Sequence, residues 1–468
     1  MRPVTNTNNR NYLLSNLHKA NELIMKRLNA LFLTLICAGA AYAQDPLVQT
    51  NYTADPAPMV DRDTIFLYTS HDEDDATGFK MHNWMLYTST DMVNWTDNGH
   101  VANLGSFSWF KRDNGAWAIQ VVRRGDKYYL YAPLHGNGIG VLVSDSPYGP
   151  FHDPLGHPLV WQREHWNDID PTVFIDNDGQ AYMYWGNPEL YMVKLNEDMI
   201  SYSGQIYQFP KIKDYQEGPW FWRRGDNYYL AFASTCCPEG IGYAMSKKPM
   251  GPWDYKGHVM DHTERTRGNH PGIIDYKGKS YVFGQNSDLL KIETNTYMER
   301  RSISAAQMHY RENGEIMEVP YWKENTLLQI EPLNPYRRIE AETIGWGYGL
   351  KTKRMGDVEL CTAGNHRDML VTKIDDGDAL TVKGVDFGYK HTNITFTANA
   401  VVRQPVTIEI HLDSAKGPIV GRLNMKPTAG KFRDQTCKVT GPTGVHNLTF
   451  VFRTPHADPM DWDWWSMK

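Results

Sequence analysis

Cysteine is scarce, with five in 468 residues. No Cys/His spacing among them suggests a zinc site. Cys236 and Cys237 are adjacent, and adjacent cysteines rarely bond each other; a Cys361–Cys437 bridge is open to an exported chain. Basic runs are absent and the net charge is -6, which excludes a nucleic-acid partner read through charge. Long apolar runs are absent too. The stretch from Leu28 to Gly39 is too short to span a bilayer, and no other segment could. That stretch follows Met25-Lys26-Arg27 and precedes Ala41-Tyr42-Ala43, the pattern of an export leader cleaved before Gln44. Residues 25–43 are therefore read as a signal peptide, and the polar residues 1–24 as an extension upstream of the true start. The chain is expected in the periplasm or outside the cell. Cys37 does not read as a lipidation site, because Ile36 is a poor residue before one.

Helical periodicity is also nearly absent. Short aromatic and β-branched runs are punctuated by turn residues instead, as strands and hairpins require. In Gln216-Glu217-Gly218-Pro219-Trp220-Phe221-Trp222-Arg223-Arg224-Gly225-Asp226-Asn227-Tyr228-Tyr229-Leu230, one strand turns tightly into another. The pattern recurs from Asp55, Trp117, Asp170 and His270. These starts lie roughly 50 to 60 residues apart, a period that marks a propeller or array. A second, outer hairpin follows each: Tyr87–Trp95, Val143–Phe151 and Ala244–Trp253 are alike, and Val193–Met199 and Ser302–Met308 are weaker copies. Four strands repeated five times over residues 44–325 predict a five-bladed β-propeller. Residues 326–337, with Pro332 and Pro335, read as a linker. The short alternating strands of 338–468 predict a β-sandwich of the jelly-roll kind, about 130 residues long. Cutting within Glu324–Tyr336 is expected to leave two separately folded pieces.

The first strand of each propeller blade lines the central channel, so Asp55, Trp117, Asp170, Glu217 and His270 should converge at one mouth. Three carboxylates and a histidine in one pocket form a catalytic constellation. Glycoside hydrolysis needs an acid on the leaving oxygen and a base or nucleophile on the other face of the sugar. Glu217, flanked by Gly218, Pro219 and Trp220, has the apolar setting that suits a general acid. Asp55, across the channel, suits a general base acting on water. Asp170 would sit beside the acid and orient it.

The set Ala54-Asp55-Pro56, Ile169-Asp170-Pro171-Thr172 and Glu217-Gly218-Pro219 resembles glycoside hydrolase family 43, over about residues 50–325. Asn269-His270-Pro271-Gly272-Ile273 and Arg300-Arg301-Ser302-Ile303 match as well, and the likeness is to the arabinofuranosidases and xylosidases acting on xylan. The resemblance implies an inverting exo-hydrolase of plant cell-wall polysaccharide, with Asp55 as base, Glu217 as acid and Asp170 tuning the acid. It also implies a calcium ion near His270 and a substrate contact from Arg301 or Arg300, with Trp117 and His270 in the sugar pocket. One stretch departs: relatives carry an aromatic and a His where this chain has Gly284 and Gln285 before Asn286, which leaves the substrate open. Residues 338–468 are similar to carbohydrate-binding module family 6. Glu340, Glu342 and Asp463 match its structural calcium ligands. Its stacking tryptophan falls near Asp434, and its terminal binding Asn is replaced by Asp461. Trp346, Tyr348 and Phe432 are the remaining aromatic platforms, so this module reads more as a structural partner than as a xylan binder. A non-catalytic sugar-binding propeller of an uptake system, or a hydrolase of another glycan such as a galactoside, remain the alternatives.

Overall fold

The computed structural model describes residues 46–468 apart from 164, 263–268, 295–298, 323–326 and 390–392; the expected leader and upstream extension lie outside the described residues. Five sheets follow one another, one per repeat. The first holds β1 (Tyr52–Asp61), β2 (Thr64–Asp72), β3 (Asn83–Ser89) and β4 (Trp95–Asn103). The second holds β5 (Gln120–Arg124), β6 (Lys127–Pro133) and β7 (Ile139–Ser144), with a bridge from Val143 to His152 where a fourth strand would lie. The third holds β8 (Thr172–Ile175), β9 (Ala181–Trp185), β10 (Tyr191–Leu195) and β11 (Tyr202–Gln208). The fourth holds β12 (Tyr215–Arg224), β13 (Asn227–Ser234), β14 (Ile241–Ser246) and β15 (Asp254–Met260). The fifth holds β16 (Gly272–Tyr276), β17 (Lys279–Asn286), β18 (Ser302–Tyr310) and β19 (Ile316–Met317).

The inner strands β1, β5, β8, β12 and β16 each touch the next, and β16 touches β1, so the ring closes as a propeller. Middle strands are packed on both faces by neighbouring sheets. β13 is therefore buried from Tyr228 to Ser234, and the aromatic richness of the hairpins is core material, as in Tyr184 stacked on Phe221 at 4.5 Å.

The C-terminal part continues with β20 (Ile339–Glu340), β21 (Thr343–Ile344), β22 (Trp346–Tyr348), β23 (Lys351–Arg354), β24 (Met369–Thr372), β25 (Ala379–Asp386) and β26 (Ile394–Val402). β27 (Val406–Leu412), β28 (Ile419–Met425), β29 (Arg433–Val439), β30 (Val445–Arg453) and β31 (Met460–Met467) complete it. Two sheets, β23-β24-β31-β26-β29 with β20 beside β31, and β22-β25-β30-β27-β28, form the sandwich. The strict alternation of β26 explains it: Ile394, Phe396, Ala398, Ala400 and Val402 point into the core, and Thr395, Thr397, Asn399 and Val401 point outward. Phe396, Phe450, Trp462 and Trp465 fill the space between the sheets.

Residues 44–468 pack as one unit. β21 pairs with β4, so the sandwich extends the first propeller sheet to five strands. The segment expected to be a free linker is pinned from both sides. Ile330 donates its N–H to Asp91, and Leu333 exchanges backbone bonds with Gly384 and Asp386.

Candidate active site

Each carboxylate sits where a channel strand departs from regular pairing. In β1 the register slips between Ala54 and Ala57, and Asp55 there takes φ 54°. Asp170, just before β8, takes φ 56°. In β12 the register slips on both sides of Glu217, and Gly218 takes φ 58°. Bulges of this kind re-aim side chains beside active sites. Here they turn three acids into one cavity of about 330 Å³, which Trp117, His270 and Arg301 also line. The structure thus brings every residue expected at the channel mouth together.

His270 stands among the acids. Its Nδ1 lies 3.1 Å from Asp55, and its Nε2 lies 3.7 Å from both Asp170 and Glu217. Burial would push this imidazole down, but Asp170, Asp55 and Glu217 outweigh burial and hold it at about 10. Burial pushes Asp170 up to about 7, with Glu217 and Asp55 adding to the rise and His270 opposing it. One Asp170 oxygen accepts from the Gly218 N–H at 3.2 Å; the other is buried without a partner. Asn187 donates to Glu217, and Gln216 in turn donates to Asn187 at 3.1 Å. The acid is thus held by Asn187, which Gln216 holds in turn.

Arg301 is buried, and its guanidinium is taken up by Asp72 at 2.9 and 3.0 Å and by Asp55 at 3.3 Å. It reads as the group that fixes Asp55, rather than as a free arm toward substrate. Arg300 bonds the Asp74 carbonyl at 2.9 Å and stacks over Tyr52. Trp117 meets Phe79 and His135 edge-on and leaves its indole N–H buried and unpaired. Gln285, the departure noted above, is fully buried and accepts the backbone N–H of Asp55 at 2.8 Å. Asn187 and Asp72 carry no sequence signal of their own; ring closure alone brings them to the site.

Cys236 also lines the cavity. Contrary to expectation, it is bonded to Cys237, while Cys361 and Cys437 are both free.

In the sandwich, Arg338 bridges Glu340 and Asp463 at 2.7 and 3.1 Å. Glu342 is fully buried with both carboxylate oxygens unpartnered; burial first, then Glu340, pushes its pKa up. Asp461 is tied by Thr372 at 2.8 Å, Lys353 at 2.9 Å and Arg403 at 2.7 Å, and Asp434 accepts from Asn399 at 2.6 Å. Among the aromatic platforms, Tyr348 is exposed and Trp346 and Phe432 are half-buried.

The family model for glycosyl hydrolases family 43 matches residues 43–316, more than half of the chain. The chain belongs to glycoside hydrolase family 43. The model for carbohydrate binding module family 6 matches residues 340–468. An arabinoxylan arabinofuranohydrolase of Paenibacillus polymyxa is 31% identical, over 87% of this chain and 71% of its own. One from Bacillus subtilis is 30% identical, over 90% of this chain and 91% of its own. A crystal structure of a family 43 arabinoxylan arabinofuranohydrolase from Bacillus subtilis with cellotetraose superposes with a TM-score of 0.80 at 29% identity, covering 91% of this chain and 97% of that one. This family 43 chain is a glycoside hydrolase.

Proposed function

We propose that this enzyme is an inverting, exo-acting α-L-arabinofuranosidase that removes arabinofuranosyl branches from arabinoxylan, exported by the leader at 25–43. The observation that carries the reading is the site itself: three buried or half-buried carboxylates around one imidazole, in one compact pocket. About 330 Å³ is the small end of the range for ligand sites (roughly 300–1,000 Å³), which suits a chain end and the sugar next to it rather than a polymer threaded through. Two relatives named for arabinoxylan and spanning both domains favour arabinofuranosyl over xylosyl release.

Asp55 and Glu217 touch opposite nitrogens of His270, so an imidazole's width separates them. Inversion needs room for a water between base and sugar, with carboxyls roughly 6.5–9.5 Å apart, and this placement suits it. Asp55, oriented by Arg301 and by the Gln285 bond to its own N–H, takes the proton of the attacking water. Glu217, oriented by Asn187, gives its proton to the leaving oxygen. Asp170 lies behind the acid and holds its strand through Gly218.

Calcium fits two places. Near His270, an ion would be held by the unpartnered Asp170 oxygen and largely by water, which leaves Glu217 to transfer its proton. There an ion would take over the charge balance that His270 otherwise supplies. In the sandwich the unpartnered Glu342 oxygens, with Glu340 and Asp463 close enough to raise its pKa, are the oxygen donors that calcium takes. Bound ion would fix the strands and neutralise the acids.

The test is sugar release from arabinoxylan and from nitrophenyl arabinofuranoside, xyloside and galactoside, with NMR of the first-formed anomer. Arabinose released with inverted configuration is expected. Retained configuration would overturn the mechanism, and preference for another glycoside would overturn the substrate. Asp55→Asn and Glu217→Gln should each lose about 10²- to 10⁴-fold in kcat/KM on the oligosaccharide with Tm maintained. A variant keeping more than a tenth of the activity removes that residue from its role.

A further inference from the structure

The Cys236–Cys237 disulfide has no part in the mechanism above, yet both of its residues are exposed and Cys236 lines the catalytic cavity. Its place follows from the sheet register. Glu217 pairs with Ala233, and Tyr215 pairs with Ser234 at the end of β13. The chain then runs into the loop bearing the two cysteines, so the disulfide stands at the rim on the same sheet as the proton donor. Asp55, in the first sheet, is on a different part of the ring. With Glu217 as the acid, the scissile oxygen lies against it, so the sugar that bears this oxygen sits on the side of the sheet that carries Glu217.

The loop is held at both ends. Ser234 and Gly240 exchange bonds, at 3.1 Å between backbones and at 2.8 Å through the Ser234 hydroxyl. Thr235 donates its N–H to Asp214 at 3.2 Å. Glu239 is buried and accepts the Asn269 N–H at 3.0 Å, beside His270. A fixed loop therefore presents a disulfide to the cavity mouth. A disulfide has no N–H or O–H donor, and its sulfurs are polarisable and apolar. Such a face gains little from water. It suits the C–H face of a sugar ring, as does the indole of Trp166, which lines the same cavity and is 50% exposed.

We infer that the Cys236–Cys237 disulfide is a wall of the leaving-group subsite, packing against the pyranose ring that bears the scissile oxygen. The inference rests on the glycosidase reading and on Glu217 as its acid. It assigns the pair a binding role on the side of the leaving xylo-oligosaccharide and none on the side of the released sugar.

Alkylation of the native, unreduced protein followed by mass spectrometry should leave Cys236 and Cys237 unmodified. Two alkylated thiols there, or zinc held by the pair with Glu239, would overturn the inference. Product inhibition then separates the two sides of the cleavage point. In Cys236→Ala/Cys237→Ala, the inhibition constant for xylotriose should rise roughly five- to tenfold, the effect of losing one apolar face. That for arabinose should not change. Should the double variant fold poorly, wild type treated with a phosphine reductant should show the same split. An equal change for both products, or none for xylotriose, overturns the inference. If the wild type releases a sugar other than arabinose, the substrate proposed above falls. The split is then measured between that sugar and its own leaving group, and the same outcomes decide the role of the disulfide.

Discussion

His270 balances the charge of three carboxylates with one proton. Its pKa is raised from an ordinary 6.5 to about 10, against burial and by Asp170, Asp55 and Glu217. The raised value fixes the sign of its contribution to stability. That contribution is complete below pH 6.5 and is lost as pH rises toward 10. Chelator-treated wild type should therefore lose Tm more steeply between pH 6.5 and 10 than chelator-treated His270→Gln, as measured by thermal melts across that range. Parallel curves would mean that His270 is neutral at the site. Asp170 gives a second prediction. Above about pH 7 it adds a negative charge beside the acid, and a like charge disfavours ionisation of its neighbour. In Asp170→Asn that charge is gone, so the alkaline limb of kcat/KM should move to lower pH. Activity should be partly recovered in mild acid and less impaired on nitrophenyl substrates, whose leaving groups need less protonation. An unmoved limb with uniformly lower activity would leave Asp170 a purely positioning role. Asp55, Asp170, Glu217 and His270 were legible in the sequence because each opens a repeat. Asn187 and Asp72 were not, because they lie inside ordinary strand-end text and meet the acids only when the ring closes.

At the scale of the strand, catalysis depends on where β12 stops being regular. Gly218 has φ 58°, and a Cβ added there would meet the His270 ring at 2.5 Å, on backbone and imidazole already crowded by Asp170. Two costs therefore fall on Gly218→Ala. The left-handed backbone costs about 1–2 kcal/mol for a residue with a Cβ, and the methyl must displace His270 from between the acids. The variant should fold with a modestly lower Tm yet lose kcat by more than tenfold, whereas Gly225→Ala, in the open hairpin turn of the same sheet, should pay in stability alone. Equal kcat in the two variants would show that the imidazole tolerates the shift. Alternation and turn residues were enough to read five inner hairpins. They could not show the bulges, since Asp-Pro and Glu-Gly-Pro look the same in an ordinary strand entry. They also missed the two-residue strands β20 and β21, which are too short to carry a period.

Those short strands decide how the whole molecule holds together. β21 closes the outer edge of the first sheet by pairing Thr343 with Thr96 and Ile344 with Trp95. Around it, Asn94 bonds Lys383 through both its amide and carbonyl, at 2.9 and 2.7 Å, and Thr352 donates to the buried Asp97 at 2.6 Å. Arg354 reaches the Asn98 carbonyl, and Gln329 ties Asp91 to the Lys383 carbonyl. A proline-marked change of pattern made residues 326–337 look like a tether between independent pieces, because sequence periodicity reports on elements and not on what they dock against. The contacts argue for a single cooperative body in which the sandwich covers an unpaired sheet edge. Glu342 lies in this seam: its carbonyl accepts from the Asp97 N–H, and its unpartnered carboxylate is one of the proposed calcium donors. Two outcomes follow. Calcium added back to chelated enzyme should raise Tm in wild type and not in Glu342→Gln, read by calorimetry. A chain ending at residue 337 should melt several degrees below the full enzyme and self-associate through its uncovered β4, read by calorimetry and light scattering. Its activity on nitrophenyl arabinofuranoside should survive at low temperature, because none of the cavity's lining comes from the sandwich. Equal melting temperatures for the full and shortened chains would mean that the seam carries no net stability and that the two domains are joined only by their chain.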